Sequence, residues 1–400
     1  MKVIQITSDY LPDPLWGMGW HVALLREILI AKGVRVSVAT AFKSKGSHEN
    51  IITTDLADDT ELLSSGKYEI FNDFRKFVAW QERLADKVVQ RNEHFDVAHV
   101  HNWMSWLTAK KLARTGVVNK VLVTFHFLQR QYEKMIENPI PSFHKEIIEI
   151  ETEAMRSADG VVLLSDSQLR LVEAEYGKEF LNKTRVIPHS VNFDTKSYGE
   201  IQKLKDANTY IDIVYVGRIE KDKGIEEALK AYSKLGSGNH RFSVVGDGPI
   251  LERLRAEFCD RNVVFWGYQS RKQIESILSA AHIFCMPSTS ENLPLSVLEA
   301  MFFGVVPIFT QGETVPNIFT DQIHGFTVKL NRVGNVFSVD DDSLFNALAL
   351  LANNAGLRKK MSKAAYTYAV SNYSKEAMTK EILGFYSDVL AINSLGPIIA

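Results

Sequence analysis

Met286-Pro287-Ser288-Thr289-Ser290-Glu291-Asn292-Leu293-Pro294-Leu295-Ser296-Val297-Leu298-Glu299-Ala300-Met301 reads as the end of an apolar strand, a polar loop and the start of a helix. Glu291 falls in the loop, and Glu299, eight positions on, falls on the second turn of the helix. The backbone amides of Leu293, Leu295 and Ser296, around Pro294, would lie at the helix N-terminus, where exposed donors and the helix dipole favour a phosphate. Carboxylates accept paired hydrogen bonds, so one could hold sugar hydroxyls and the other ribose hydroxyls, with a diphosphate between them. A second reading is purely local. Ser296-Val297-Leu298-Glu299 also fits a capping box in which Glu299 only satisfies the helix end. Taken alone, the segment leaves both open.

On either side of this run, short β-branched apolar stretches alternate with longer ones of helical period, the pattern of a parallel sheet with helical crossovers. In the second half, strands are expected at Ile211–Val216, Phe242–Val245, Val263–Phe265, Ile283–Met286 and Val306–Phe309. Helices are expected at Ile225–Leu235, Ile250–Glu257, Arg271–Leu278, Leu295–Phe303 and Ser343–Leu351. The first half follows the same plan. Its strands are expected at Val3–Ile6, Val34–Ala39, Val97–Val100, Val121–Phe125, Val161–Leu164 and Arg185–Ile187, and its helices include Trp20–Ala31, Phe77–Gln90, Ser105–Arg114 and His144–Met155. Each half opens with a strand, a glycine-containing turn and a long helix: Gln5…Gly17-Met18-Gly19…Ala31 and Tyr215-Val216-Gly217…Leu235. A chain of 400 residues exceeds one ordinary core. The expected fold is therefore α/β, with two Rossmann-like, doubly wound domains whose strand C-termini face a central cleft. The polar stretch Tyr198–Asn208 is expected to link them.

Composition narrows the function. The chain is 46% hydrophobic and 24% charged with a net charge of -2, so nothing global draws it to nucleic acid. Cys259 and Cys285 make neither a disulfide framework nor a zinc motif and read as core residues of a reducing compartment. The N-terminus turns polar at Thr7-Ser8-Asp9, unlike a signal peptide, and no apolar run reaches the ~20 residues of a membrane span. A cytoplasmic enzyme is expected. A peripheral membrane contact through the first domain stays open, although no strongly basic amphipathic helix demands it.

The segment Met286–Met301, with its variant Glu291-Asn292-Leu293-Pro294 followed by Val297-Leu298-Glu299-Ala300-Met301, resembles the E-x7-E motif of the retaining glycosyltransferases of family 4, which have the GT-B fold. Further stretches carry the resemblance in order along the chain. Val214-Tyr215-Val216-Gly217-Arg218 through Lys223-Gly224 is similar to the family's V-G-R-x-x-x-x-K-G segment, and Gly246-Asp247-Gly248-Pro249 to its G-D-G-P. Val263-Val264-Phe265-Trp266-Gly267-Tyr268 resembles V-x-F-x-G, and Val186-Ile187-Pro188-His189-Ser190-Val191-Asn192 resembles V-I-P-N-G-V-D. Asp96-Val97-Ala98-His99-Val100-His101 is similar to D-V-x-H-x-H.

The resemblance implies an acceptor-binding domain at 1–195, a donor-binding domain at 209–374, and a last helix at about 375–395 packing back on the first. Arg218 and Lys223 would clamp the donor diphosphate, two cations near a helix start that remove the need for a metal. No Asp-x-Asp loop is placed to hold one. Glu291 and Glu299 would take the donor, and the Gly267-Tyr268 region the base. His126, ending Val121-Leu122-Val123-Thr124-Phe125-His126, would meet the sugar and the acceptor side. In retaining enzymes of this fold the leaving phosphate itself is argued to take the acceptor proton. Gly17 would let backbone amides approach the phosphate. Trp16 stands where the family has the first of two glycines and could wall the acceptor site. His101 and Trp103 are further acceptor-side residues, since aromatic faces stack on sugars, whereas His99 reads as core. Trp20 and Trp106 fall in the same loops, and tryptophans are also ordinary core fillers. His189-Ser190 and Asn317 depart from the family pattern. No cofactor is implied beyond the nucleotide-sugar co-substrate, with a UDP-sugar favoured.

The sequence speaks against two other classes. An oxidoreductase would want G-x-G-x-x-G directly after the first strand and an acidic residue beyond it, and neither is present. A sugar-binding protein that has lost turnover is opposed by the intact set of Arg218, Lys223, Glu291 and Glu299.

Overall fold

A computed structural model describes residues 1–10, 17–40, 50–54, 74–135, 143–194, 196–236, 238–259, 262–291, 293–312, 315–333 and 336–392. Trp16 and Asn292 therefore lie outside the described residues. The chain divides into two compact units, Met1–Pro188 with Met378–Ala400, and His189–Ala377.

The first unit runs β1 (Lys2–Thr7), α1 (Gly17–Ala31), β2 (Arg35–Thr40), β3 (Ile51–Thr53), α2 (Phe74–Gln90), β4 (Phe95–His101), α3 (Trp106–Arg114), β5 (Val118–Phe125), α4 (Gln129–Met135), α5 (His144–Ser157), β6 (Gly160–Leu163), α6 (Asp166–Glu175) and β7 (Thr184–Val186). Its strands pair in parallel in the order β3-β2-β1-β4-β5-β6-β7. A parallel sheet is covered on both faces, which is why its strands read as continuous apolar runs. The order reverses between β1 and β4. At such a switch point the loops after neighbouring strands diverge to opposite faces and leave a crevice at the strand C-termini.

The second unit repeats this design with α7 (Tyr198–Asp206), β8 (Ile211–Val216), α8 (Ile225–Lys234), β9 (His240–Val245), α9 (Leu251–Phe258), β10 (Val263–Gly267), α10 (Arg271–Ala280), β11 (Ile283–Met286), α11 (Leu295–Phe302) and β12 (Val306–Gln311). It closes with β13 (Phe326–Val333), β14 (Val336–Val339), α12 (Asp341–Asn353) and α13 (Ala355–Tyr373). The order is β10-β9-β8-β11-β12-β13-β14, reversing between β8 and β11. The last pair, β13 and β14, is antiparallel. The sequence reading passes over this pair, along with β3, α4, α6 and α13. The long helix α13 escapes because its buried positions include small or polar residues, Ser362, Ala365 and Ala369, which draw no apolar stripe.

One expectation needs correcting. Tyr198–Asn208 is not a bare linker: residues 198–206 form α7, started by a capping box in which Ser197 and Glu200 satisfy each other's amides. Its Ile201 is fully buried, and the buried Lys205 ammonium donates to the Gly304 carbonyl at 2.7 Å. Burial pushes the Lys205 pKa well down. Polar composition hid an element whose one buried lysine finds a backbone acceptor.

The last helix, α14 (Lys375–Ala391), lays Met378, Ile382, Phe385, Tyr386 and Val389 against Val97, Leu122 and Val162 of the first sheet. Each such side chain contributes ~1.5–3 kcal/mol on full burial. Among them Tyr386 also reaches a polar partner, its hydroxyl lying 2.7 Å from His99 Nδ1. Among the described residues no helix is long and apolar enough to cross a membrane. Replacing Tyr386 with Phe keeps the packing and strands a buried imidazole nitrogen, so thermal or urea unfolding is expected to show a loss of ~1–3 kcal/mol. An unchanged midpoint would mean that the contact adds no stability.

Candidate active site

At the switch point of the second unit, the loops after β8 and β11 are stitched together by backbone. The Asp222 carbonyl accepts from Thr289 N–H at 2.8 Å and from the Ser288 hydroxyl at 3.0 Å. Gly224 makes the approach work: its φ is +68°, and a Cβ there would overlap the Pro287 carbonyl oxygen. With the turn seated on this loop, Lys223 Nζ comes 3.0 Å from Glu291 Oε1 and 3.1 Å from the Ser290 carbonyl. Both side chains are mostly buried, 12% and 16% exposed. Asp222 lies beside the same ammonium at 3.4 Å.

Gly217 follows β8, its amide donating to Val245 O at 3.0 Å, and Gly246 packs so closely that a Cβ would overlap the Gly217 carbonyl. Arg218 is 60% exposed and pairs with Glu220 at 2.8 Å. An exposed pair of this kind is worth ~0–1 kcal/mol, so a dianionic ligand can draw the guanidinium away. Helix α11 starts after Pro294, and Ser296 lies inside it, its hydroxyl directed at Met286 Sδ. The capping-box reading of Glu299 therefore does not hold. Glu299 instead accepts from Arg271 Nη2 at 2.9 Å, while Arg271 Nε donates to Asn192 O at 3.1 Å and the guanidinium covers Phe193. Burial raises the Glu299 pKa and Arg271 opposes that rise. Leu293 and Leu295 pack on the core of this unit. Gly267 adopts a φ of +68° and its carbonyl receives the Gly246 amide, while the Tyr268 side chain is 83% exposed.

At the switch point of the first unit, four histidines gather. The His99 and His101 rings stack with centroids 4.6 Å apart, and His101 Nδ1 lies 3.0 Å from His126 Nε2. His21 meets the His126 and His101 rings edge-on at 5.3 and 5.9 Å. Burial pushes His21 and His99 down to about 3. His126 is held well below the ordinary imidazole range by burial first and then by His101, His21 and His99. A neutral imidazole has one donor and one acceptor nitrogen, so the bond between His101 and His126 couples their tautomers.

Two expectations are corrected here. His101, expected to face the acceptor, is fully buried beside His126. Trp103 is 2% exposed and packs on Phe77 and Phe74, with centroids at 5.3 and 6.4 Å, so it is core and not a stacking wall. Trp106 is core too, whereas Trp20 is exposed. Gly17 opens α1 exposed, with open space where a Cβ would stand. Among the described residues no group of His, Cys, Asp or Glu side chains is arranged to hold a metal ion.

Residues 199–368 match the family described as Glycosyl transferases group 1, and residues 16–195 match Glycosyltransferase Family 4. The chain belongs to the family 4 glycosyltransferases. A 2-deoxystreptamine N-acetyl-D-glucosaminyltransferase from Niallia circulans is 24% identical over 315 residues, 73% of this chain and 79% of that protein. Among solved structures, the sucrose-phosphate synthase of Thermosynechococcus elongatus superposes with a TM-score of 0.76 at 19% identity, covering 98% of this chain and all of that one. Anabaena HepE in complex with UDP and glucose gives 0.69 at 15% identity, covering 97% and 100%. The fold is GT-B.

Three residues of this glycosyltransferase escape a reading by motif. Asp9, buried after β1, accepts from the Gly19 amide at 3.0 Å and caps the first turn of α1. The polar break Thr7-Ser8-Asp9 was its only signal. Arg271, the partner of Glu299, had none. Asn102 follows β4 with φ 63° and ψ 171°, a region close to glycine-only that costs ~1–3 kcal/mol.

Replacing Gly224 with Ala forces a left-handed residue into the Pro287 carbonyl, and a loss of at least ~2 kcal/mol in unfolding is expected. An unaltered stability would refute the close approach. Buried His21, His99 and His126 make a second prediction. Their folded pKa values are depressed, so below pH ~6.5 the unfolded chain takes up protons that the folded one does not. Stability then falls as pH drops from 7 to 5, by up to ~1.4 kcal/mol per pH unit for each histidine. Buried Glu151, pushed up to about 8 by burial, opposes one such slope. Urea midpoints against pH should be shallower for His99→Gln than for the wild type; parallel curves would contradict the assignment.

Proposed function

We propose that this glycosyltransferase moves a hexosyl or N-acetylhexosaminyl group from a UDP-sugar to a hydroxyl of a carbohydrate-type acceptor, with retention and without a metal ion. The observation that carries this reading is Lys223 Nζ at 3.0 Å from Glu291 Oε1, across 68 residues, at the switch point beside the start of α11. That arrangement brings together a buried cation, a carboxylate and helix amides, groups whose chemistry suits a sugar diphosphate. Lys223 and Arg218 neutralise the charge that develops on the departing diphosphate, the task a divalent ion otherwise performs. Glu291 accepts from sugar hydroxyls and Glu299 from ribose hydroxyls, and the base lies by Gly267 and Tyr268. UDP as the nucleotide is supported by HepE, which carries UDP and glucose on the same fold.

In the proposed step the bond from the anomeric carbon to the diphosphate oxygen breaks, and its electron pair leaves with the nucleotide. The acceptor oxygen bonds to the same face of the sugar, and its proton passes to the leaving phosphate. His126, neutral through burial, hydrogen-bonds a sugar hydroxyl instead of acting as a cation. The first unit supplies the acceptor-side residues and the second holds the donor.

The test is nucleotide release from UDP-, GDP- and ADP-sugars in the presence of EDTA. Release from the UDP-sugar should persist in chelator and fall ~10²–10³-fold in Lys223→Ala, Arg218→Ala and Glu291→Ala. Loss of activity in EDTA, restored by a divalent ion, would overturn metal independence; a faster GDP- or ADP-sugar would overturn the donor. Inversion at the anomeric centre, read by NMR of the product, would overturn retention.

A further inference from the structure

Four non-glycine residues among those described have a positive φ, and three of them, Asn92, Asn262 and Gln322, sit exposed in turns. Asn102 is the exception: it is 1% exposed, and its ψ of 171° takes it out of the ordinary left-handed basin. Glycine would adopt this conformation without strain. An asparagine kept there must offer something a hydrogen atom cannot.

Its side chain does so. Asn102 Oδ1 accepts from the His126 backbone N–H at 2.7 Å, and Nδ2 points to Met18 Sδ at 3.5 Å. Its own N–H donates to Thr124 O at 2.8 Å, extending the β4–β5 pairing by one rung, and its carbonyl accepts from Ser105 at 3.3 Å. The amide therefore ties together the ends of β4 and β5 and the first turn of α1, all at the switch point. The strained dihedral separates two neighbours with opposite destinations: His101 turns to His126, and Trp103 turns into the core.

We propose that Asn102 is a positioning residue of this glycosyltransferase, holding His126 against His101 in the one geometry that meets the sugar. This rests on the reading of His126 as a sugar-facing residue. Asn102 itself touches no reacting atom; it acts through the main chain of His126 and through the tautomer-coupled pair behind it.

Two variants separate the parts. Asn102→Gly relieves the backbone and removes the acceptor, so it folds and leaves His126 unheld. Asn102→Asp keeps Oδ1 and tolerates the same dihedral. Turnover in Asn102→Gly should fall by ~10-fold or more, with KM for the UDP-sugar changed less than about twofold, since a small misplacement of a catalytic group costs chiefly the transition state. Asn102→Asp should stay within about threefold of the wild type. In 15N-histidine-labelled protein, the His126 amide and the imidazole nitrogens of His101 and His126 should shift in Asn102→Gly, whereas in Asn102→Asp the His126 amide, still bonded to Oδ1, should stay near its native position. Full turnover in Asn102→Gly, or unmoved His126 signals in it, would overturn the proposal. Should the wild type transfer no sugar at all, the catalytic reading of His126 fails by itself. The labelled spectra then decide whether Asn102 holds His126: shifted signals uphold that hold and unmoved ones end it.

Discussion

The approach of Gly224 to the Pro287 carbonyl governs the second unit's chemistry. Here the two loops meet so closely that a side chain at the crossing would overlap the opposing backbone. Gly224 stands there with a left-handed φ, and the Asp222 carbonyl then becomes the acceptor for the opposing loop. Lys223 is thereby carried to Glu291, in a place dry enough for each charge to matter to the other. Burying the pair is costly unless the geometry is good and the remaining lone pairs and protons find partners. The Ser290 carbonyl and Asp222 supply partners for the ammonium.

Arg218 and Arg271 show the complementary principle. Arg218 rests in an exposed pair with Glu220 that binds it weakly, so little is lost when it turns to a ligand. Arg271 grips the more deeply buried Glu299, opposing the rise in pKa that burial causes, and anchors on the Asn192 carbonyl and the Phe193 ring. One cation is kept available and the other keeps an anion in place.

In the first unit desolvation replaces ion pairing. His21, His99 and His126 are held below the usual imidazole range by burial, and for His99 and His126 the neighbouring imidazoles add to it. Their order depends on groups distant in sequence: the Tyr386 hydroxyl from the last helix, Thr124 on β5 and the Asn102 amide. A cluster of neutral histidines is a hydrogen-bonding surface with fixed tautomers, and each anchor removes a degree of freedom from it.

The alternating apolar runs were enough to locate most of the parallel strands, since a strand buried on both faces must be apolar throughout. Ile211–Val216 and Ile283–Met286 coincide with the observed elements to the residue. The loop position of Glu291 and the second-turn position of Glu299 were also legible, because both follow from the strand-to-helix transition. Helix α7 was not: a capping box and one buried lysine are weaker signals than its polar surface. The places of His101 and Trp103 depended on Asn102, whose dihedral no propensity foretells. Glu299's partner could not be read at all, since Arg271 lies 28 positions away on another helix. Periodicity records which face of an element is dry, and so the sequence alone determined most of the parallel strands, the strongly periodic helices and the chemical character of the loops. Which charges meet across those loops depends on close approaches between segments far apart in the chain, and only the tertiary structure decided that.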